Sequence, residues 1–356
     1  KQHKLAALGY GNDQFTVQKQ IDEQKSENQE IQQFQSKVDR CDSAKHEFSG
    51  EELEIYQRML TRLHKIYAEL KVIASKRLSD LESLLELLNE IERESKWTEE
   101  VISPEIIRNW SSKDFNLAHV EDDHRKLYYD IQSHEHKLES IINQAERLLR
   151  GGHPAVECIN NAVNGLTFKK KLLFEMFNAL DEHKKAAVEY HRFHKDTAEC
   201  KQWIEKAQQK LNTTFSAQNI SFEEGERLNK EMLALKDEIN HFRKNISDLD
   251  SRSKNISPLK LRTSSAGRSA KIVSAVKISG QQLKLSKGEQ LTLVENADPF
   301  NWKVQSHSES YSAANLCFLM SPPDKEALAI GADLKKQYEE LIALWSQKNH
   351  ELRQNR

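Results

Sequence analysis

The chain has 356 residues, of which 30% are charged, yet its formal net charge is only −2. That balance lacks the basic excess of a nucleic-acid binder, and 11 Gly and 6 Pro are few for this length and gather at a handful of breaks. No apolar run approaches the roughly 18–20 residues needed to span a bilayer, and the opening "KQHKLAALGY" has neither a signal-peptide apolar block nor a Met, so the chain reads as a segment of something longer.

The first periodic element carries Ile31, Phe34, Val38 and Cys41, a 3-4-3 spacing that forms the seam of a helix in a coiled-coil-like bundle. After the loop "DSAKHEFSGEE", Tyr56, Leu63 and Tyr67 mark a second helix. From Glu51 to Ser103 there is no Gly and no Pro, so this helix should run directly into the next, which bears Trp97. About fifty such residues at 1.5 Å each would make a strut of about 75 Å. Ile131, His134, Leu138 and Ile141 repeat the first pattern, and "RGGHPA" turns the chain. Leu166, Leu173 and Phe177 repeat the second pattern. The stretch from Ala155 to Asn212 is interrupted only by Gly165 and carries Trp203, 106 residues after Trp97. At that lag Leu84 falls on Tyr190 and Leu87 on Phe193. Ile239, Phe242, Ile246 and Leu249 give the first pattern a third time, and Leu334, Leu341 and Trp345 the second.

With the Trp-bearing helix called A and the others B and C, the order is B, C, A, B, C, A, B, C. Helices with such narrow apolar faces must fold back on one another as antiparallel bundles. Three registers recurring in order resemble the spectrin repeat, with Trp97, Trp203 and Trp345 as bundle anchors.

Between Leu249 and Leu334 the composition changes. "LKLSKGEQLTLVENADPFNWKVQ" alternates apolar and polar residues around a Lys287-Gly288-Glu289 turn, which is strand and hairpin chemistry. The tip of a helical hairpin tolerates such a guest because the ends to be bridged are close and exposed. "SPPDKEA" leads out, with Pro322-Pro323 barring helix until Asp324 caps it. The insert resembles an SH3 domain: "LKLSKGEQLTLV" matches the diverging turn, "NWKVQ" follows at the right distance, and "ANLCFL" takes the place of the usual close. Its ligand face is degenerate. Ala275-Val276-Lys277-Ile278-Ser279 replaces A-L-Y-D-Y, Asn301 replaces the first paired tryptophan, and Cys317 replaces the closing tyrosine. Lys277, Ile278, Asn301 and Cys317 therefore mark a site that cannot grip Pro-x-x-Pro peptides, with Trp302 as the packing residue.

Spectrin repeats carrying an SH3 domain in a B–C loop resemble the plakin family, in its spectraplakin-like form, through "LCFLMSPPDKEAL" and "ISPLKLR". The expected fold is mainly α: tandem three-helix spectrin repeats forming an elongated rod, with a small all-β SH3 barrel in a helix B–C loop. The expected division is a partial repeat (helices B and C) at 1–76, a repeat at 77–182, helices A and B of another at 183–262, the degenerate SH3 at 263–322, and the remaining helix C at 323–356. The resemblance implies a non-enzymatic cytoplasmic linker of the cytoskeleton and of cell junctions such as hemidesmosomes. It also implies adhesion-receptor tails and junction proteins as partners, an SH3 packed on the preceding repeat, and a monomeric segment without nucleic-acid binding or membrane insertion.

Rival readings rest on less. "HEHK" at 134–137 and "HRFH" at 191–194 offer imidazole pairs for a metal, but 14 histidines scattered over helices explain them by chance, and no metal or cofactor is expected. No phosphate-cradling glycine loop or nucleophile elbow is present. Cys41, Cys158, Cys200 and Cys317 lie in no ligand spacing and read as buried small hydrophobes. Tyr128, Tyr129, Phe174 and Phe177 offer a partner-binding stripe but read first as packing residues of the core or of the SH3 contact, and Lys169-Lys170-Lys171 offers a contact for anionic lipid but reads first as a solvated face. The alternatives in function are a signalling adaptor, whose SH3 recruits a partner that is not proline-rich, and a spectrin-like membrane-skeleton segment.

Overall fold

The computed structural model describes all residues except 1–4, 6–7, 217–219, 265–267, 307–308 and 355–356. Seven α-helices of eight residues or more are among those described: α1 (Gln14–Gln33), α2 (Gln35–Ser43), α3 (Gly50–Ile106), α4 (Leu117–Arg150), α5 (Val156–Thr213), α6 (Phe222–Ser253) and α7 (Lys325–Gln354). As the Gly- and Pro-poor stretches lead one to expect, α3 and α5 run for 57 and 58 residues. Pro104 is accommodated inside the last turn of α3, and Gly165 does not interrupt α5. None of the described helices is long and apolar enough to cross a membrane.

The chain divides into two compact units. The first comprises residues 1–101 and 127–171. Its main core joins Val17 and Ile21 of α1, Leu81, Leu84 and Leu87 of α3, Leu138 and Ile141 of α4, and Ile159 and Leu166 of α5. A smaller cluster holds Ile31, Val38, Tyr67 and Ala74, with the Tyr67 hydroxyl donating to the Ile31 carbonyl at 2.8 Å. Trp97 is half-buried and stacks on His134 at 3.6 Å between ring centroids. Tyr128 and Tyr129, expected in a packed interface, are exposed on α4, edge to face with one another; on this helix the apolar seam runs through Leu127 and Ile131, which leaves the adjacent positions outside it.

The second unit comprises residues 102–126 and 172–356. In it the C-terminal half of α5 packs with α6 and α7. Trp203 stacks on Phe242 at 3.7 Å, Tyr338 donates its hydroxyl to the Ile239 carbonyl at 2.6 Å, and the Trp345 indole donates to the Met232 carbonyl at 2.9 Å. Gly331 lets α7 approach the end of α6 closely, since a Cβ there would lie 2.9 Å from the Ser253 hydroxyl. The second position of the second and third B patterns has a shared role. His134 and Phe242 are the seats on which the helix-A tryptophans lie, and they are half-buried beside fully buried seam residues.

Between α6 and α7 stands the β-module, with β1 (Lys271–Ser274), β2 (Ile278–Ser279), β3 (Lys284–Leu285), β4 (Gln290–Glu295), β5 (Trp302–Gln305), β6 (Ser310–Ala313) and β7 (Phe318–Met320). Five of these form one antiparallel sheet in the order β6-β5-β4-β1-β7, and β2 pairs with β3. Alternation along β4 and β5 buries Leu291, Leu293, Trp302 and Val304 and exposes their neighbours, so the module closes on its own core with Ile272, Val276 and Phe318. Gly288 turns the hairpin before β4 with a φ of 82°, a conformation that costs a residue with a Cβ. Entry and exit of the insert are clipped together. The Asp324 amide donates to the Ile256 carbonyl at 2.7 Å, and Lys260 pairs with Glu326 at 2.6 Å. The Asp324 side chain accepts from the Glu326 amide and so caps α7, as the sequence suggested.

Candidate functional site at the covered face of the β-module

The residues marked as a degenerate ligand face do not share one fate. Lys277 is exposed, but its backbone N–H donates to a carboxylate oxygen of Glu175 on α5 at 2.8 Å. Ile278 is buried and pairs across the small sheet with Leu285. Cys317 is fully buried, and burial first, then the nearby Glu175 carboxylate, pushes its thiol up to about 12. Asn301 is turned into its own loop, where its amide donates to Asp298 at 2.8 Å. Trp302 is fully buried, its ring parallel to that of Phe318.

Four further residues complete the face. The Nε2–H of His183 on α5 donates to the Leu316 carbonyl at 3.0 Å, which fixes the neutral tautomer with its proton on Nε2. The side-chain amide of Asn315 donates to the Ile106 carbonyl at the end of α3, 2.8 Å away. Arg262, in the segment entering the module, donates to the carbonyls of Phe318 and Asn315 at 2.8 and 3.1 Å, and lies over the Trp302 ring. Lys287 in the β3–β4 turn pairs with Glu182 of α5 at 2.6 Å. Glu182 and His183 follow Glu175 by seven and eight residues, two helical turns further along the same side of α5.

Behind this face the segment joining α3 to α4 is held by aromatic and charged groups. Trp110 is buried against His183 and His124, and its carbonyl accepts from His191 Nε2 at 2.9 Å. Phe115 stacks on His191. Buried Glu105 binds Arg108 through both oxygens and lies within reach of His124; burial opposes its ionisation, but these hydrogen bonds outweigh it and hold the carboxyl below its usual range. Burial alone pushes Arg262 down to about 9, since among the described residues no carboxylate pairs with it. His183 is pushed down to about 3, by burial and then by the charge of Arg262.

The three tryptophans named as anchors lie at bundle edges rather than at bundle centres; all are half-buried and held by a stack or an indole hydrogen bond. His191 and His194 are taken up by Trp110 and Tyr190, and among the described residues no three metal-ligating side chains converge. Cys158, Cys200 and Cys317 are buried free thiols, while Cys41 is only half-buried.

A family model described as a spectrin-like repeat matches residues 191–257, and one described as an SH3 domain matches residues 258–320. Human Microtubule-actin cross-linking factor 1 is 23% identical over 350 residues, 97% of this chain. Desmoplakin-A of Danio rerio is 21% identical over 98% of this chain, and mouse periplakin 21% identical over 99%. The chain is homologous to these three proteins. It spans about 5%, 17% and 19% of the length of these three relatives. The fold of this chain also matches a solved structure described as a rigid four spectrin repeat fragment of the human desmoplakin plakin domain. The TM-score is 0.72 at 18% identity, covering 99% of this chain and 78% of that one. Sequence reasoning reached the helices and the module but missed His183, Arg262 and Asn315. The only signals available were the place of Asn315 within the altered close "ANLCFL" and that of Arg262 at the end of "ISPLKLR".

Proposed function

We propose that this plakin segment is a non-enzymatic cytoskeletal linker element, acting between cytoskeletal filaments and membrane adhesion complexes of the hemidesmosome type, and that its SH3 module serves as a clasp on the helices rather than as a peptide receptor. Its partners in this reading are adhesion-receptor tails and junction proteins on the cytoplasmic side, and pulling along α3 and α5 releases the module. The observation that carries the reading is the set of contacts within the chain made at and beside the altered ligand face: Lys277 and, next to Cys317, Leu316 with α5, and Asn315 with the end of α3. The name of the cross-linking relative and the homology to desmoplakin and periplakin support the linker role.

The test is amide exchange on the full chain against a variant in which residues 268–321 are replaced by a short Gly/Ser linker. Amides of α5 around 172–183 and the last turn of α3 should exchange faster in the variant, because they lose buried partners. Unchanged protection there would make the module a passenger and remove the clasp.

A further inference from the structure

We propose that the seam between the β-module and α5 is a proton-operated latch, in which protonation of His183 favours release of the module. His183 is 2% exposed and spends its single N–H on the Leu316 carbonyl of the module. Its ring is stacked on Trp110 at 5.7 Å. A second proton, taken from solvent onto Nδ1, would create an imidazolium in a buried volume that already holds the Arg262 guanidinium, whose donors go to carbonyls and not to a carboxylate.

The charged groups on every neighbouring element are committed elsewhere. From the end of α3, Glu105 is bound by Arg108; from α4, Asp123 is bound by Arg108, and His124 lies within hydrogen-bond reach of Glu105. On α5 itself, Glu182 pairs with Lys287, Glu175 accepts from the Lys277 amide, and Lys184 pairs with Asp181 and Glu121. From the module the ring meets a backbone carbonyl, with the neutral Cys317 thiol in the adjoining residue. A buried cation without a counter-ion is strongly disfavoured. Release opens the Leu316 side of the ring to water, where imidazole takes its proton near its ordinary pKa.

The sign follows from linkage. The docked form binds fewer protons, since its His183 pKa is depressed to about 3 from 6.5. Docking is therefore at full strength above about pH 6.5 and is lost as the pH falls below it, about tenfold in the docking equilibrium for each unit. Glu105, whose carboxyl is held below its ordinary 4.5, contributes only below about that pH, outside the range of the experiment. The proposal rests on the clasp reading. Failure of the module-replacement experiment would sink the clasp at any pH, whereas a flat pH profile beside an intact replacement effect would sink the sensor alone.

The experiment is hydrogen exchange of the Lys277 amide in the full chain, corrected for intrinsic exchange rates, between pH 7.5 and 5.0. Its bond to Glu175 reports docking directly. Opening should rise by about thirtyfold over this range in the parent chain. It should stay flat in His183→Gln, whose amide can still donate to Leu316 but does not titrate. His124→Gln should keep the response. A flat parent profile, or a response that survives in His183→Gln, overturns the proposal. In the parent chain itself the His183 ring should titrate below about pH 5 by NMR. A ring titrating near pH 6.5 while Lys277 stays protected overturns it too, independently of any variant.

Discussion

The side-chain amide of Asn315 donates to the backbone carbonyl of Ile106, a residue 209 positions earlier in the chain. Ile106 is the last residue of α3, so its carbonyl has no partner within the helix. The β-module thus caps a helix that ends long before the module begins, and the cap is buried at both ends.

Replacing Asn315 with Ala should leave that carbonyl buried without a donor and cost about 1–3 kcal/mol. The loss should be local at first: amides in the last turn of α3 should exchange faster, while those of α6 and α7 stay protected. Uniform loss of protection across α6 and α7 would argue against this placement of the cap.

Arg262→Lys should fail to substitute for the native residue. A lysine keeps the charge but not the planar fork that reaches the Phe318 and Asn315 carbonyls while lying over Trp302. An expected cost of about 2 kcal/mol should appear as an earlier denaturant midpoint when the module is followed by Trp302 fluorescence in a background where the other tryptophans are Phe.

Trp203 and Phe242 should be energetically coupled. Their rings are parallel within 3° and centred 3.7 Å apart. A double-mutant cycle to Ala should give a coupling of about 1 kcal/mol, and the same cycle between Trp203 and the distant Trp345 should give none.

Glu105 should shape the acid limb of stability. Its carboxyl is lowered in the folded state, so the stability it supplies is present above its ordinary pKa of 4.5 and is lost as the pH falls through its folded value. Glu105→Gln should be less stable at neutral pH by about 1–3 kcal/mol and should show a shallower decline below pH 4.5. Thermal unfolding from pH 7 to pH 3 measures both.

Pro-x-x-Pro peptides titrated against the full chain should show no binding at micromolar concentrations. The buried Cys317 and the engaged Lys277 amide leave no stacked-ring platform for a polyproline helix. Micromolar binding that competes with Glu175 for that face would restore the adaptor reading.

Much of this organisation was legible because seam residues recur with a period. Ile31, Ile131 and Ile239 each open a B pattern, and all three are buried. The C helices were harder to align, because their apolar positions repeat every heptad and any heptad fits. Pairing Tyr67 with Trp345 matched the spacing, yet the hydroxyl bonds to Ile31 and Ile239 make Tyr67 and Tyr338 the equivalent residues, and Trp345 lies one heptad further on. The covered face was legible only where it departs from a known pattern, as at Lys277 and Cys317. The roles of His183 and Arg262 were invisible for a physical reason. A single polar residue on a helix or in a linker has no period, and the burial of Arg262 depends on carbonyls 53 and 56 residues away in sequence.

The bond from the Asp324 amide to the Ile256 carbonyl has an evolutionary consequence. Because the insert leaves the host where it entered, the pairing of α6 with α7, including Tyr338 on Ile239, is independent of how many residues lie between them. A guest domain at this point could be lost, exchanged or lengthened without moving either helix by a residue. The junction thus behaves as a socket: descendants can trade one plug for another while the host repeat keeps its register, and selection can act on the plug alone.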